Sequence, residues 1–366
     1  MMTDFEEYIR QGEPDKKEKG IIWQTAIGLQ QVDGLKPSAY LIETAKQNIE
    51  GKITIDEVQY RIDSYYKTKT VRIDDDDRTK EADIVSARIV KILSNETFSF
   101  SPLEYIAIHK QLFTGIYKFA GKIRDYNISK AEWVLNGKSV LYANAPQIRP
   151  TLDYDFNQEK LYDYKNADFQ QSIQHLVKFI SGVWQIHAFG EGNTRTTAVF
   201  AIKYLRSFGF KIDNTLFANH SWYFRNALVR ANYNDWTNNI HATDEFLMLF
   251  FGNLLLGEKN ELKNRYLRVD WKNETDVQSA KTAENEISKS SICTLKQGSP
   301  QGNCTLEEHF VLEFLKNNTR ATQKEIAAHI QKSERTVKTM TSNLQNKKLL
   351  ERVNGKRDGY WKILNL

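Results

Sequence analysis

The 366-residue sequence contains only two cysteines, Cys293 and Cys304. Two thiols are too few for a disulfide framework or for a cysteine-rich metal site. The sequence also lacks long hydrophobic runs, since none approaches the ~18 apolar residues that a membrane-spanning helix needs. The first 20 residues are charged and lack the apolar core of a secretion signal. We therefore expect a cytoplasmic protein without a membrane partner.

Apolar and aromatic residues, in contrast, are plentiful. Hydrophobic residues make up 40% of the sequence, with 19 phenylalanines, 17 tyrosines and 7 tryptophans. This composition argues against wholesale disorder. A chain of this length can bury a sizeable core and has room for more than one domain.

Positive charge is concentrated near the C-terminal end of the sequence. The formal net charge is +5 at pH 7. From Cys304 to Leu366 there are 12 lysines and arginines against 7 aspartates and glutamates, so this segment alone accounts for the surplus. The remaining residues balance. A basic excess confined to one segment points to an anionic partner for that segment.

Composition and hydrophobic periodicity divide the sequence into four parts. Residues 1–35 are mostly polar and predict an N-terminal arm, either laid against the body or partly disordered. Residues 36–265 show repeated helical spacing and predict a mainly α domain. Residues 266–303 are polar and poor in aromatics, which is typical of a linker. Residues 304–366 regain an ordered pattern and predict a second, α+β domain.

The pattern of residues 304–366 predicts three helices followed by a β-hairpin. This order resembles the winged helix-turn-helix fold. Arg335 and Lys338 would face outward on its recognition helix, while Lys356 and Arg357 would lie at the tip of the wing. That placement suits contact with the backbone of duplex DNA. The alternative is a winged helix that binds or positions a protein and keeps its basic residues solvated.

The most informative stretch of the sequence runs from Gln185 to Arg195, between two segments of strong helical pattern. Gly190 and Gly192 let the backbone bend and present N–H groups at the beginning of the second helix, which is a suitable site for phosphate. The side chains of Asn193 and Arg195 add donors, and an arginine can grip two phosphate oxygens at once.

Two further residues of this stretch supply reactive groups. Glu191 is a hard oxygen ligand suited to Mg²⁺ that is shared with nucleotide phosphates. The pKa of a histidine such as His187 lies near neutral pH, so its imidazole could deprotonate an incoming hydroxyl. Together the set predicts phosphoryl or nucleotidyl transfer. Taken singly, each residue also has an ordinary structural explanation, such as a core histidine or a glycine turn at a helix end.

The segment His187-Ala-Phe-Gly-Glu-Gly-Asn-Thr-Arg195 resembles the signature of the Fic family, His-x-Phe-x-(Asp/Glu)-Gly-Asn-x-Arg. The resemblance extends from about Lys36 to Leu256. It implies a mainly helical domain that transfers AMP from ATP to a hydroxyl of a target protein, with His187 as the base and Glu191 as the Mg²⁺ ligand. The implied nucleotide-binding residues are those of the loop: Gly190, Glu191, Gly192, Asn193, Thr194 and Arg195.

The sequence departs from the family pattern at three positions. Ala188 replaces the usual proline, and Thr194 replaces the usual second glycine. Ala198 stands where the family has a second arginine, which holds the terminal phosphate of ATP. This last departure leaves the placement and the base of the nucleotide open.

Residues 122–142 predict a β-hairpin around the turn Asn136-Gly137. In the Fic family a hairpin called the flap lies at this place and aligns the target segment by strand pairing. An exposed strand edge can hold an extended peptide of any sequence. The resemblance therefore implies a target protein docked on this hairpin, although a simple surface ribbon fits the same pattern.

The dipeptide Glu50-Gly51 resembles the end of an autoinhibitory helix in Fic proteins, (Ser/Thr)-x-x-x-Glu-(Gly/Asn), whose glutamate points into the ATP site. Here Lys46 occupies the Ser/Thr position. If Glu50 inhibits, its carboxylate would lie near Arg195, because the customary partner arginine is replaced by Ala198. A glutamate at the end of an ordinary helix, followed by glycine, is the competing interpretation.

The predicted helix Ser221–Asn232 corresponds to one that walls the adenine pocket in the family. The resemblance makes Tyr223 and Asn232 candidates for contact with the base, with core packing as the alternative for Tyr223.

The resulting hypothesis is a protein adenylyltransferase that uses ATP and Mg²⁺ to modify a Ser, Thr or Tyr hydroxyl. Two alternatives remain. One is a DNA-binding regulator whose Fic domain senses a nucleotide or is self-modified. The other is a hydrolase that removes AMP, with Glu50 orienting a water. The sequence identifies neither the target nor the oligomeric state, and a homo-oligomer is compatible with it.

Overall fold

The structure is a computed structural model that describes residues 5–68, 76–210, 212, 215–271, 304–330, 332–354 and 359–364. Within these ranges no helix is both long enough and apolar enough to cross a membrane. The described residues are mainly α-helical, as the sequence predicts.

The helices of the first part of the chain are α1 Glu6–Gln11, α2 Pro14–Gly28, α3 Ala39–Ile49, α4 Ile55–Thr68, α5 Asp76–Leu93, α6 Pro102–Phe113, α7 Ile148–Leu161, α8 Phe169–Ile186, α9 Asn193–Ser207, α10 Thr215–Ala231 and α11 Glu245–Leu256. Short 3₁₀ helices cover Leu29–Asp33, Trp133–Leu135, Ala145–Gln147, Trp236–Asn238 and Asn264–Leu267. The C-terminal part adds α12 Leu306–Asn317, α13 Gln323–Ile330, α14 Glu334–Asn346, β1 Leu350–Val353 and β2 Tyr360–Ile363.

The chain divides into two compact units. The first consists of Met1–Glu159 and Val177–Trp271, and the second of Lys160–Leu176 and Lys272–Leu366.

Several helices of the first unit begin at residues whose side chains cap the first turn. The hydroxyl of Ser38 accepts a hydrogen bond from the backbone N–H of Leu41 at the beginning of α3. At α4, the side chains of Thr54 and Glu57 each accept the other's backbone N–H, which forms a capping box of the Thr-x-x-Glu type. Ser101 caps α6 in the same way as Ser38 caps α3. These local contacts fix helix boundaries independently of tertiary packing.

The centre of the first unit is α9, whose residues from Asn193 to Leu205 are all buried. It packs against α5 and α6. Aromatic rings surround it, with the ring of Phe200 5.5 Å from that of Phe156. Because these residues of α9 are buried, the loop that precedes the helix is anchored to a close-packed part of this unit.

The N-terminal residues differ from the predicted arm. They form α1 and α2, and Ile22 and Trp23 of α2 are buried. Helix α2 approaches α10 so closely that a Cβ on Gly28 would lie 2.4 Å from the Cα of Ala218. The apolar patch at residues 21–23 has a helical partner in α10, so the segment is part of the core rather than an appendage.

Residues 122–142, called here the flap segment, do not form the predicted β-hairpin. All of them are described, and none lies in a strand. The Asn136-Gly137 turn does form, with φ values of 54° and 84°. Its flanks are irregular because Val134 and Leu135 are both fully buried, whereas a strand would send neighbouring side chains to opposite faces.

The second unit contains α12, α13 and α14, followed by β1 and β2, which pair antiparallel with Leu350 opposite Ile363. This is the element order that the sequence predicts for residues 304–366, and the winged-helix assignment remains a prediction. Trp361 is buried and donates its indole N–H to the carbonyl of Ala321 at 3.0 Å.

The predicted linker, residues 266–303, is only partly described. Residues 272–303 lie outside the described ranges. Its first residues belong to the first unit, because Leu267 is fully buried and the N–H of Val269 bonds the carbonyl of Val134 at 2.9 Å. The first unit therefore extends to residue 271, beyond the predicted boundary at residue 265.

Candidate active site

The stretch from His187 to Arg195, called here the signature segment, joins α8 to α9 through two constrained glycines. Gly192 caps α9 with a φ of 77°, and a Cβ there would lie 2.5 Å from the ring of Phe113. A Cβ on Gly190 would lie 2.6 Å from the hydroxyl of Tyr126. A side chain at Gly192 would clash with the ring of Phe113 at a backbone conformation that favours glycine, and one at Gly190 would have to displace the hydroxyl of Tyr126.

His187 begins the signature segment and is almost fully buried, with 3% of its surface exposed. Its Nδ1 lies 3.3 Å from the carbonyl of Trp184. Its ring lies 4.2 Å from the ring of Tyr142 and perpendicular to that of Trp184. These contacts hold the imidazole in place, although the backbone of His187 has the unfavourable φ of 51°.

The imidazole of His187 is neutral near pH 7. Burial lowers its pKa well below the ordinary value, and the positive charge of Lys130 lowers it further. With the Nδ1 proton directed at the Trp184 carbonyl, we infer that Nε2 carries a free lone pair. A neutral histidine with an unprotonated nitrogen is suited to accept a proton from a hydroxyl.

Arg124, which the sequence did not single out, clamps the signature segment to the flap segment. Its guanidinium donates to the carbonyls of His187 at 2.8 Å, Tyr126 at 2.5 Å and Ala143 at 2.5 Å. Its backbone N–H bonds the carbonyl of Ala188 at 2.9 Å. A single buried side chain thereby fixes three separate stretches of backbone around His187.

A second buried network, made of an ion pair and a hydrogen bond, contacts the imidazole of His187 through the ring of Tyr142. The carboxylate of Glu132 lies 2.7 Å from the guanidinium of Arg225 and accepts a 3.1 Å hydrogen bond from the hydroxyl of Tyr142. Glu132 is fully buried, so this pairing compensates a charge that water does not reach. Because the ring of Tyr142 packs on His187, the network orients the imidazole.

His109 supports the loop through hydrogen bonds to the protein backbone and has a structural role. Its Nδ1 accepts the N–H of Gly121 at 2.9 Å, so its Nε2 donates to the carbonyl of Glu191 at 3.0 Å. Its ring stacks on Phe189 at 3.7 Å. Burial lowers the pKa of His109 to about 4, which keeps it in this neutral form.

Glu191 lies on the open side of the signature segment. Its side chain is 54% exposed, and its carboxylate is 2.9 Å from the ammonium of Lys130 in the flap segment. An ion pair this exposed is weak and easily exchanged. Glu191 is therefore the acidic group of the segment that a ligand from solution can reach.

Asn193 and Thr194 instead turn inward and stabilise the loop itself. The side-chain amide of Asn193 both donates to and accepts from the backbone of Phe189, at 2.7 and 3.0 Å. The hydroxyl of Thr194 accepts the indole N–H of Trp184 at 3.0 Å. These side chains were predicted to bind nucleotide, but in the structure their hydrogen bonds are used within the protein.

Arg195 is also committed within the protein. It is 1% exposed, and its Nε lies 2.8 Å from the carboxylate of Asp33. One terminal nitrogen donates to Glu81 at 2.6 Å, and the other to Gln30 at 3.0 Å. Burial alone would lower the pKa of Arg195, but the two carboxylates outweigh it and raise the pKa. The predicted grip on phosphate would require these contacts to break.

Glu50 does not contact Arg195 in the structure. It caps the end of α3, followed by Gly51 with a φ of 76°. Its carboxylate accepts a 2.7 Å hydrogen bond from the hydroxyl of Tyr8 and pairs with the ammonium of Lys52. This arrangement is that of a helix-end glutamate, and it differs from the predicted inhibitory contact.

The two candidates for base contact have roles inside the fold. Tyr223 on α10 is 1% exposed and packs in the core, where burial raises its pKa. The amide of Asn232 donates to the hydroxyl of Ser181 at 2.8 Å and to the carbonyl of Leu228 at 2.9 Å. Each side chain would have to leave these contacts before it could bind a nucleotide base.

Of the basic residues predicted for DNA, Arg335 and Lys338 lie on α14 and are exposed. Lys356 and Arg357 fall outside the described residues.

The described residues contain no group of three or more His, Cys, Asp or Glu placed to hold a metal ion. The exposed carboxylate of Glu191 nevertheless fits Mg²⁺, since this ion commonly takes one or two protein carboxylates and draws its other ligands from phosphates and water.

Residues 99–205 match the model of the Fic/DOC family. The matched range contains the flap segment, the signature segment and most of α9. The match confirms the predicted Fic-type domain for this part of the chain.

Two known proteins show a weaker similarity. The protein adenylyltransferase VbhT from Bartonella schoenbuchensis is 28% identical over 144 residues, which cover 36% of this chain and 29% of that protein. The chain thus matches less than a third of that relative's length. A Fic family protein from Desulfovibrio desulfuricans G20 aligns over 99% of this chain and 94% of its own, with 11% identity and a TM-score of 0.42. That structural likeness is too low to support a conclusion.

Proposed function

We propose that this chain transfers AMP from ATP to a hydroxyl group of a protein. The observation that carries the proposal is the neutral, buried imidazole of His187, held beside the N-terminus of the buried helix α9. The Fic/DOC match over the same residues and the similarity to a protein adenylyltransferase support it.

In the proposed reaction, Nε2 of His187 accepts the proton of a Ser, Thr or Tyr hydroxyl. The hydroxyl oxygen forms a bond to the α-phosphorus of ATP. The bond from that phosphorus to the oxygen bridging the α- and β-phosphates breaks, and pyrophosphate leaves. The proton, the new ester bond and the leaving group are all accounted for, so the chain needs no further reactant.

Backbone N–H groups are the proposed phosphate ligands. The first turn of a helix leaves its N–H groups without intrahelical partners and carries partial positive charge. The inward hydrogen bonds of Asn193 and the ion pairs of Arg195 hold this turn of α9 in place. We therefore assign both side chains to shaping the phosphate site rather than to contacting the nucleotide.

Glu191 is the proposed magnesium ligand, together with the phosphates of ATP. When bound, Mg²⁺ neutralises phosphate charge and so makes the α-phosphorus easier to attack. Glu191 would exchange its ion pair with Lys130 for the metal, which the exposure of that pair permits.

The flap segment is the proposed docking site for the target protein. It carries two exposed large apolar side chains, Trp133 at 43% and Leu141 at 84%. Exposed apolar groups beside a reactive site commonly serve a binding partner. Because the segment has no strand, recognition would rest on side chains more than on strand pairing.

Two forms of labelled ATP test the proposed reaction. With label on the α-phosphate, the chain should label itself or a target protein, and with label on the γ-phosphate it should label neither. Transfer of the γ-label would replace the proposal with phosphoryl transfer. Repeating the α-label experiment with other nucleotides identifies the base, which Ala198 leaves open.

A second candidate function, DNA binding, rests on α14 of the second unit. Arg335 and Lys338 are exposed on this helix, and the basic excess of the sequence lies in this unit. A gel-shift series at low salt should show binding that weakens steeply as salt rises. Absence of binding at low salt would assign this unit to protein recognition. The hydrolase alternative receives no support, because Glu50 contacts Tyr8 and Lys52 instead of the signature segment.

A further inference from the structure

The hydroxyl of Tyr126 lies against the signature segment at Gly190. It is close enough that a Cβ on Gly190 would come within 2.6 Å of the phenolic oxygen. The residue is nevertheless 52% exposed. Throughout the described parts of the chain, no side chain or backbone group forms a hydrogen bond with this hydroxyl. The hydroxyl of a half-exposed tyrosine, with no hydrogen-bond partner in the described residues, thus lies beside the proposed phosphate site.

The backbone of Tyr126 is fixed relative to His187. The guanidinium of Arg124 donates to the carbonyls of both residues, at 2.5 and 2.8 Å, so the two carbonyls converge on one buried group. Gly190 follows His187 by three residues. The backbone of the tyrosine is therefore fixed near His187 by the carbonyl hydrogen bond, while its hydroxyl lies near Gly190 without a hydrogen bond of its own.

Two other tyrosines near the site have their hydroxyls engaged. Tyr117 donates to the carboxylate of Glu81 at 2.6 Å, and Tyr142 donates to that of Glu132 at 3.1 Å. Tyr142 is buried and Tyr117 is half-buried, and burial raises the pKa of each phenol. A phenol that donates its proton to a carboxylate is less available as a nucleophile, because that hydrogen bond must first break. Tyr126 has neither restriction.

We propose that Tyr126 is a site of self-modification by AMP, an inference that rests on the proposed function. The phenolic oxygen of Tyr126 forms a bond to the α-phosphorus of ATP bound at the same signature segment. The bond between that phosphorus and the bridging oxygen breaks, pyrophosphate leaves, and the phenolic proton passes to Nε2 of His187. The product is a phosphodiester that joins AMP to Tyr126.

Transfer to the hydroxyl of Tyr126 would be intramolecular, which favours it over transfer to a second protein. The nucleophile is already positioned, so its effective concentration far exceeds that of a docking protein. The rate of self-modification per molecule should accordingly be independent of protein concentration.

The test is to incubate the full chain with ATP and Mg²⁺ and to locate AMP by peptide mass spectrometry. We expect AMP on Tyr126, with a rate per molecule that does not change on dilution. Tyr126→Phe keeps the ring beside Gly190 and should reduce self-labelling at least about tenfold, which corresponds to ~1.4 kcal/mol in the barrier. The control Tyr154→Phe removes another exposed hydroxyl, on α7, and should label like the wild type.

Failure of this inference and failure of the proposed function give different results. AMP on another residue, such as Ser129, or unchanged labelling of Tyr126→Phe, overturns the assignment of Tyr126 and leaves AMP transfer standing. Labelling of a target protein without any self-labelling does the same. If neither the chain nor any protein acquires AMP from any nucleotide, both proposals are wrong.

Discussion

The two halves of the signature segment differ in what solvent can reach. In the first half, residues 187–191, the side chain of Glu191 is exposed and pairs with the partly exposed Lys130, although His187 is buried. In the second half, residues 192–195, the guanidinium of Arg195 is buried and contacts the carboxylates of Asp33 and Glu81, which are 33% and 16% exposed. An exposed pair is worth about 0–1 kcal/mol, whereas leaving a buried polar group without its partner costs about 1–3 kcal/mol. Glu191 is thus accessible to a ligand, whereas the second half is part of the core.

This difference changes how the motif should be interpreted. The resemblance to the family predicts phosphate binding for Asn193 and Arg195, in addition to a base at His187 and a Mg²⁺ ligand at Glu191. In this chain Asn193 and Arg195 hold α9 in position, and Glu191 is the charged group exposed to solvent, which is why we propose that the first half meets the reactants. Substitutions in the first half should therefore change transfer more than stability, and those in the second half should do the reverse.

The largest effect is expected for His187→Asn. Asparagine tolerates the positive φ at this position but does not act as a base near neutral pH. Transfer of AMP should fall by about 10²–10⁴-fold, the usual contribution of a general base. The control His241→Ala, at an exposed histidine, should transfer at the wild-type rate. Wild-type transfer by His187→Asn would exclude His187 as the base.

The second prediction concerns stability. Arg195→Met removes the guanidinium that contacts the carboxylates of Asp33 and Glu81 and the buried amide of Gln30, so the free energy of unfolding should fall by about 1–3 kcal/mol. Glu191→Gln, in the other half, should change it by no more than about 0.5 kcal/mol. Urea denaturation measures both. Equal losses for the two variants would remove the distinction between the halves.

The third prediction follows from the pKa of His187, which burial lowers. The imidazole of His187 should stay neutral at pH values where an ordinary histidine is already protonated. Transfer should therefore remain nearly constant as pH falls from about 8 to about 6.5 and decline only at lower pH. The stability of the fold should also decrease as pH falls. Below about pH 6.5 the unfolded chain binds a proton that the folded chain does not, so folding weakens as pH falls. A rate that already halves at pH 7 would contradict the lowered pKa.

The smallest effect is expected for Lys130→Ala. Removing the ammonium frees Glu191, so half-maximal transfer should need about two- to fivefold less Mg²⁺, as expected from a partly exposed pair. Lys122→Ala, also in the flap segment and exposed, is the matched control and should leave the requirement unchanged. A higher Mg²⁺ requirement in Lys130→Ala would show that Lys130 assists the metal instead of competing with it.

Much of the fold could be predicted from the sequence because the relevant signals are local. Capping residues such as Thr54 and Glu57 lie three positions apart, and the turn at Asn136-Gly137 needs only its two residues. The prediction of strands in the flap segment was wrong because Val134 and Leu135 are buried, and their burial depends on helices that lie far away in the sequence.

Only part of the candidate site could be predicted from the sequence. The motif points to His187 and Glu191, but the partners of Arg195 lie far from it in the chain. Asp33 and Glu81 show no pattern that links them to residue 195, and their role emerges only when the helices pack. The same holds for Arg124, whose clamp joins backbone carbonyls of three separate stretches.

The most direct test of the account is the affinity for ATP with and without Mg²⁺, measured by calorimetry on the wild type and on Glu191→Gln. The account predicts that Mg²⁺ tightens binding to the wild type and has little effect on the variant, while both proteins unfold at the same denaturant concentration. Equal affinity of the wild type for ATP with and without Mg²⁺ would contradict the assignment of Glu191, and with it the claim that the first half of the signature segment receives the nucleotide.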